Sequence, residues 1–356
     1  MASNPKIIDA DGHIFEDLSG IMLKVPSEWA DTQARKTPFP ELDHIHHHLH
    51  VSPPGSFQDP GGAKGWGAFL DDVGIDHAVL YPTRGLAFGR IMDVDWADGV
   101  ARAYNDWIYE TYLAQDPRLH AVGLIPMQDP ELAVAELHRV VEELGFAGGM
   151  LPTTGLKTHL GAKDYWPLYA EADRIGCCLA LHGGAHSGLG LDTFNVFAGV
   201  HAMGHPSGVM FGFVSLLFNG IFDKFPNIRF GFLEAGVSWL LMAKERCDSS
   251  YKAFTPLDPK QALFKLKPGE DVDAYILRQI EEGRIFVGIE GDEPDLPYAV
   301  KIFSNKPFMF STDFPHEVNT DGVKHEVVEI LGEKNLSDDD KIAIMHGNAE
   351  RFYGFA

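Results

Sequence analysis

The sequence predicts an α/β protein built as one (β/α)8 TIM barrel, with long lid insertions at the C-terminal face of its strands. Three observations carry that prediction. Eight short, apolar, β-rich runs alternate with helix-forming stretches along the chain, the order that a closed parallel sheet requires. No Gly-x-Gly-x-x-Gly follows the first run, which disfavours a doubly wound open sheet. The 356 residues, 45% hydrophobic and 22% charged, suit one large barrel with a substantial core, so residues 1–356 are read as a single domain with a lid insertion at about 17–64.

The strand runs, in order, are Lys6–Ala10, Ala78–Tyr81, Ala121–Ile125, Gly148–Leu151, Cys178–Leu181, Ile228–Leu233, Ile285–Ile289 and Phe308–Ser311. They are short and apolar throughout, as strands buried on both faces should be. Among the intervening stretches, Asp129-Pro130-Glu131 combines an N-cap, a proline at the first helical position and a first-turn acid. Leu137, Val140, Val141 and Leu144 then repeat at helical spacing, and Gly145 stops the run. The segment from Asp164 to Arg174 ends at Gly176 in the same way. Three connections exceed ordinary loop length: Glu16 to about Lys64, Gly183 to Pro206, and Tyr251 to Gly283. Long connections in a compact domain serve as lids or binding loops.

The formal charge of −22, from 29 basic and 51 acidic residues, opposes unspecific contact with nucleic acid or anionic membranes. Three cysteines, two of them adjacent (Cys177, Cys178) and one alone (Cys247), make no disulfide framework and no Cys-x-x-Cys metal spacing. No apolar signal region opens the chain, and no apolar run reaches the roughly 20 residues of a membrane span. A cytoplasmic protein acting on a small-molecule substrate, without nucleic-acid or membrane partners, is the expectation.

Chemistry gathers where the strands end. The first run leads into Asp9-Ala10-Asp11-Gly12-His13, and strand alternation places Asp9, Asp11 and His13 on one face. The fifth ends at His182, the sixth at Glu234, the seventh at Glu290 and the eighth at Asp313. Each alone could be a satisfied structural residue. Several carboxylates converging on one barrel mouth are costly unless a cation or proton neutralises them. Two His and two Asp suit Zn, Mn or Fe better than Ca or Mg, so one divalent metal ion is the expected cofactor.

Four segments, in order, resemble the amidohydrolase-2 family, which includes aminocarboxymuconate-semialdehyde decarboxylase and the resorcylate-type decarboxylases. They are Asp9-Ala10-Asp11-Gly12-His13-Ile14-Phe15-Glu16; Phe225-Pro226-Asn227-Ile228-Arg229-Phe230 running into Leu233-Glu234-Ala235-Gly236; Ser311-Thr312-Asp313-Phe314-Pro315-His316; and Gly347-Asn348-Ala349-Glu350-Arg351-Phe352-Tyr353-Gly354. The resemblance runs from Ile7 to the C-terminus and implies a single metal held by Asp11, His13, His182 and Asp313, in a homodimer. Two positions depart from the family pattern. Asp11 replaces the first His of a His-x-His pair, and Glu234 stands where the decarboxylases have His. No lysine ends the fourth strand (Met150-Leu151-Pro152), so a dinuclear centre on a carbamylated lysine is not expected.

Glu234 and Asp313 are accordingly the expected catalytic residues. Glu234 is read as a base for metal-bound water or a further ligand, against the plainer reading of a carboxylate capping the next helix. His205, His316, Glu16 and Glu290 are the expected substrate contacts. Asp292, His186 and His201 are weaker candidates, and Phe57, Trp66 and Phe69 are either pocket walls or packing. The run from His44 to His50 is read as lid rather than metal site. The carboxylate at position 234 tilts the expected reaction toward metal-dependent hydrolysis of an amide, lactone or related bond. The alternative is non-oxidative decarboxylation of a phenolic or enol acid; binding without catalysis would predict a broken ligand set.

Overall fold

The structure, a computed structural model, describes residues 5–30, 37–45, 55–258, 264–291 and 293–355. Eight parallel strands lie in sequence order: β1 (Ile8–Ile14), β2 (His77–Pro82), β3 (Leu119–Leu124), β4 (Gly148–Pro152), β5 (Cys178–His182), β6 (Arg229–Leu233), β7 (Ile285–Ile289) and β8 (Phe308–Phe310). Just beyond β8, Asp313 N–H donates to Asp11 O (2.9 Å) and His13 N–H to Phe314 O (2.7 Å), which joins the last strand to the first. Every residue of β1, β4, β5, β7 and β8 is buried, as a barrel wrapped by helices demands.

The helices form where local signals place them. Asp129 caps Pro130–His138 through the amides of Glu131 and Leu132, and Gly176, at φ +67°, closes Trp166–Ile175. Three sequence expectations change. The first strand runs on to Ile14, so Asp11 and His13 lie inside it. The stretch Gly183 to Pro206 is not all loop, because a 22-residue helix begins at Phe197 and carries His201 and His205. The stretch Tyr251 to Gly283 is not all loop either, because the helix Ser238–Phe254 runs into it and the helix Val272–Glu281 lies within it. Among the described residues no helix is long and apolar enough to cross a membrane.

The C-terminal helix, Asn348–Tyr353, ties the strands together from below. Tyr353 Oη donates to Ala10 O (2.5 Å) and receives the Tyr81 hydroxyl (2.8 Å). Asn348 Nδ2 donates to the carbonyls of Asn305 and Phe308, both at 2.7 Å. Because Asn348 is 2% exposed, water cannot replace it. Asn348→Ala is expected to cost about 1–3 kcal/mol by leaving buried acceptors unpaired, measurable as a lowered denaturation midpoint with unchanged m-value.

Candidate metal centre and proton-transfer site

The site grows from the junction of β1 and β8. Asp9 takes no part in the mouth. Its carboxylate accepts from Thr312 N (3.0 Å), Thr312 Oγ1 (2.8 Å) and Asp11 N (3.2 Å), and burial pushes it up to about 7. The β1–β2 register shifts between Asp9 and Gly12, so simple alternation fails there and Asp9 becomes a clamp between strands. Gly12 separates the two site residues because Trp66 lies against it. A Cβ at position 12 would sit 2.5 Å from the indole. Trp66 and Phe69 pack on Phe314 in the core; they are packing, not pocket wall.

Asp11, His13 and His182 form one cluster, and His13 shares a second with Asp313 and His316, the ligand atoms of each lying within 4.8 Å of one another. His13 Nε2 lies 3.5 Å from Asp11 Oδ1 and 3.3 Å from Asp313 Oδ1, and His182 Nε2 lies 3.3 Å from Asp11 Oδ1. The tautomers follow from the partners behind the rings. His13 Nδ1 faces Pro82 O at 2.8 Å and His182 Nδ1 faces Gly183 O at 2.6 Å. A carbonyl only accepts, so each Nδ1 carries hydrogen, and a neutral ring then turns its Nε2 lone pair toward the carboxylates. All four inward atoms are buried without a well-formed hydrogen bond. Lone pairs crowded together at these separations fit a divalent cation with bonds of about 2.0–2.2 Å, and the donor set suits such an ion.

His316 adds to the same charge balance. The Thr83 hydroxyl donates to Ile14 O (2.7 Å) and so accepts from His316 Nε2 (2.9 Å). His316 Nδ1 is left against Asp313 Oδ1 at 2.8 Å, a contact that needs a proton or a cation to share. Burial drives the His316 imidazole down to about 3. Burial, reinforced by Glu234, Glu317, Glu290 and Asp11, holds Asp313 well above the usual carboxylate range. Burial opposes a charge on His182, yet Asp11 and Glu234 outweigh it and raise the ring to about 9, so that Nε2 takes a proton unless a cation occupies the same place. The pocket is short of positive charge.

Glu234 and Asp313 share an unusual backbone state, with φ of +57° and +51°. Side-chain-bearing residues seldom adopt this left-handed region, and such strain gathers at functional sites. Both stand just past a strand end with their carboxylates in the mouth. Glu234 Oε2 lies 3.3 Å from His182 Nδ1 and 2.9 Å from His205 Nδ1. Burial alone would raise Glu234, but His205 and His182 pull it well below its ordinary value. His205 reaches this contact because residue 183 is glycine, where a Cβ would sit 2.5 Å from His205 Nδ1. Gly183→Ala is therefore expected to displace His205 and weaken its contact with Glu234, which a chemical-shift change in the His205 ring signals by NMR would report.

The remaining candidates divide. Both oxygens of Glu16 accept backbone amides, from Gly85 (2.7 Å) and Arg84 (3.1 Å), tying the β1 loop to the β2 loop. Glu290 lines the mouth cavity with His201, His205, Glu234, Asp313 and Glu317, a space of about 320 Å³. Buried His186 faces Asp43 at 3.4 Å, and His186 N–H donates to Leu42 O (3.1 Å), fastening the first insertion to the β5 loop. Phe57 stacks on His316 at 5.5 Å between ring centres and so stands over the site. His46, His47, His48, His50 and Asp292 lie outside the described residues.

The family model described as Amidohydrolase matches residues 8–355. The chain belongs to the amidohydrolase family. This amidohydrolase-family chain is 23% identical over 291 residues to 2-amino-3-carboxymuconate-6-semialdehyde decarboxylase of Dictyostelium discoideum, covering 80% of this chain and 74% of that one. It is 25% identical over 307 residues to gamma-resorcylate decarboxylase of a Polaromonas species, covering 80% and 85%. Its fold matches 5-carboxyvanillate decarboxylase of Novosphingobium aromaticivorans, solved with manganese and 4-hydroxy-3-methoxy-5-nitrobenzoic acid, with a TM-score of 0.72, 19% identity, and 99% and 97% of the two chains covered.

Sequence reasoning missed four residues that shape the amidohydrolase-family site. Thr312 and Thr83 orient Asp9 and His316; Asp43 faces His186; and Glu317 lies 3.4 Å from His201 Nε2. Adjacency to Asp313 and His316 was the available signal for Thr312 and Glu317. Nothing local marked Thr83 or Asp43, whose partners are distant in sequence.

Proposed function

We propose that this protein is a metal-dependent, non-oxidative decarboxylase of a small phenolic or enol carboxylic acid. One observation carries the reading: buried lone pairs on Asp11, His13 and His182, joined through His13 to Asp313, stand beside a Glu234–His205 pair able to hold a proton. The decarboxylase names of the curated relatives support the same reaction class. Asp11, His13, His182 and Asp313 are the proposed ligands of one divalent ion, manganese, zinc or iron, manganese being the ion in the 5-carboxyvanillate decarboxylase structure. When bound, such an ion polarises the substrate's oxygens as a Lewis acid.

The chain's own groups handle the proton. Cleavage of the carbon–carboxylate bond leaves an electron pair on carbon, and one proton must arrive there as CO2 departs. The pair of Glu234 Oε2 and His205 Nδ1, 2.9 Å apart, is proposed to deliver it, with the proton shared between the two atoms and resting on His205 while Glu234 is ionised. His316 and Glu290 are proposed substrate contacts in the mouth. The homodimer implied by family likeness belongs to the same reading; exposed Val196, Met203 and Phe211, on or beside the helix Phe197–Phe218, offer it an apolar face.

A second reading, hydrolysis, is favoured by one feature, the carboxylate of Glu234 where decarboxylases carry His. A base near a metal-activated water needs reach more than basicity. The two are separated by incubating metal-loaded protein with hydroxybenzoates and carboxyvanillates in D2O. CO2 release with deuterium at the vacated carbon is the expected result. Acid release from lactones or amides without any CO2 would instead establish hydrolysis.

A further inference from the structure

We infer that the chain carries a second cation site, formed by His201, His205 and Glu234, next to the four-ligand centre and separate from it. His201 and His205 are four residues apart on the helix Phe197–Phe218, so they share one face. Their ring centres are 5.0 Å apart, and the ligating atoms of His201, His205 and Glu234 all lie within 4.8 Å of one another. Two imidazoles four apart on a helix plus a carboxylate from elsewhere is a donor set that binds zinc-like ions.

The site is built as well as spaced. His205 is 8% exposed, the Glu234 side chain is 9% exposed, and His205 Nδ1 and Glu234 Oε2 are both buried without a well-formed hydrogen bond. Glu317 Oε1, 3.4 Å from His201 Nε2, adds a nearby negative charge on the solvent side. The three donors border the mouth cavity of about 320 Å³, leaving room for water to complete the coordination. No lysine is involved, which separates this arrangement from a carbamate-bridged pair of metals. An ion here takes the lone pairs of His205 and Glu234 and so competes with the proton proposed for them. That consequence rests on the decarboxylase reading; the binding site does not.

The test counts metal. Wild type, His201→Ala, His182→Ala and the double variant are equilibrated with Zn²⁺, passed through a desalting column and analysed for bound zinc, with Co²⁺ visible absorption recorded in parallel and thermal unfolding to check the fold. His201→Gln serves as a second variant of the half-buried position. Two equivalents in wild type, one in each single variant and none in the double variant is the expected result. One equivalent in both wild type and His201→Ala, lost in His182→Ala, overturns the second site and leaves the four-ligand centre standing. One equivalent lost only in His201→Ala supports the second site and overturns the other. Absence of zinc from wild type overturns both.

Discussion

His182→Ala is expected to weaken metal binding by at least about 100-fold, the upper end of what loss of a supporting partner alone costs, and to bring turnover to background. His182 Nε2 faces Asp11 Oδ1 at 3.3 Å, with its Nδ1 held by Gly183 O. Alanine removes the imidazole and leaves Asp11 and Glu234 as buried carboxylates without it. Asp313→Asn is the companion change. It keeps the volume but withdraws the anionic oxygen that lies 3.3 Å from His13 Nε2. Elemental analysis of protein purified without added metal decides the matter, with thermal unfolding run alongside. Full metal content in both variants would remove these residues from the ligand set.

Glu234→Gln is expected to keep the metal of the four-ligand centre and to lose turnover by about 10²–10⁴-fold, the range for a positioned acid or base. Glutamine preserves the shape and still reaches His205 and His182, but it cannot release a proton at that atom. A loss confined to kcat, with KM little changed, marks a group acting on the reaction rather than on binding. Glu234→His is the informative partner. Histidine tolerates the left-handed backbone found there better than branched residues do, and it is the residue that the resemblance to the decarboxylases implies for this position. Recovered CO2 release in that variant supports decarboxylation. Wild-type rates in Glu234→Gln would sink the proton-handling role altogether.

Much of this was legible in the sequence for a local reason. A buried parallel strand is a short apolar run, and a polar residue at its end has few structural excuses. All eight strands and Asp11, His13, His182, Glu234 and Asp313 were marked in that way. β7 matches the expected Ile285–Ile289 residue for residue, because glycine turns and apolar runs are read from neighbours along the chain. Family likeness added the ligand assignment, which spacing alone leaves open.

What only the tertiary structure decided involves residues far apart in sequence. Alternation put Asp9 with Asp11 and His13, but closure of the barrel 303 positions later spends Asp9 on Thr312. The tautomers of His13 and His182 depend on carbonyls that no periodicity reveals. Glu16, four-square in the motif, is drawn to the amides of Arg84 and Gly85. His201 and His205 meet Glu234 only because a helix begins at Phe197 and the absence of a side chain at Gly183 lets it lie close. Local sequence determines which elements form and what chemistry stands at their ends. Which lone pairs face each other across the mouth is determined by closure and packing, since those contacts arise only once all eight strands are in place.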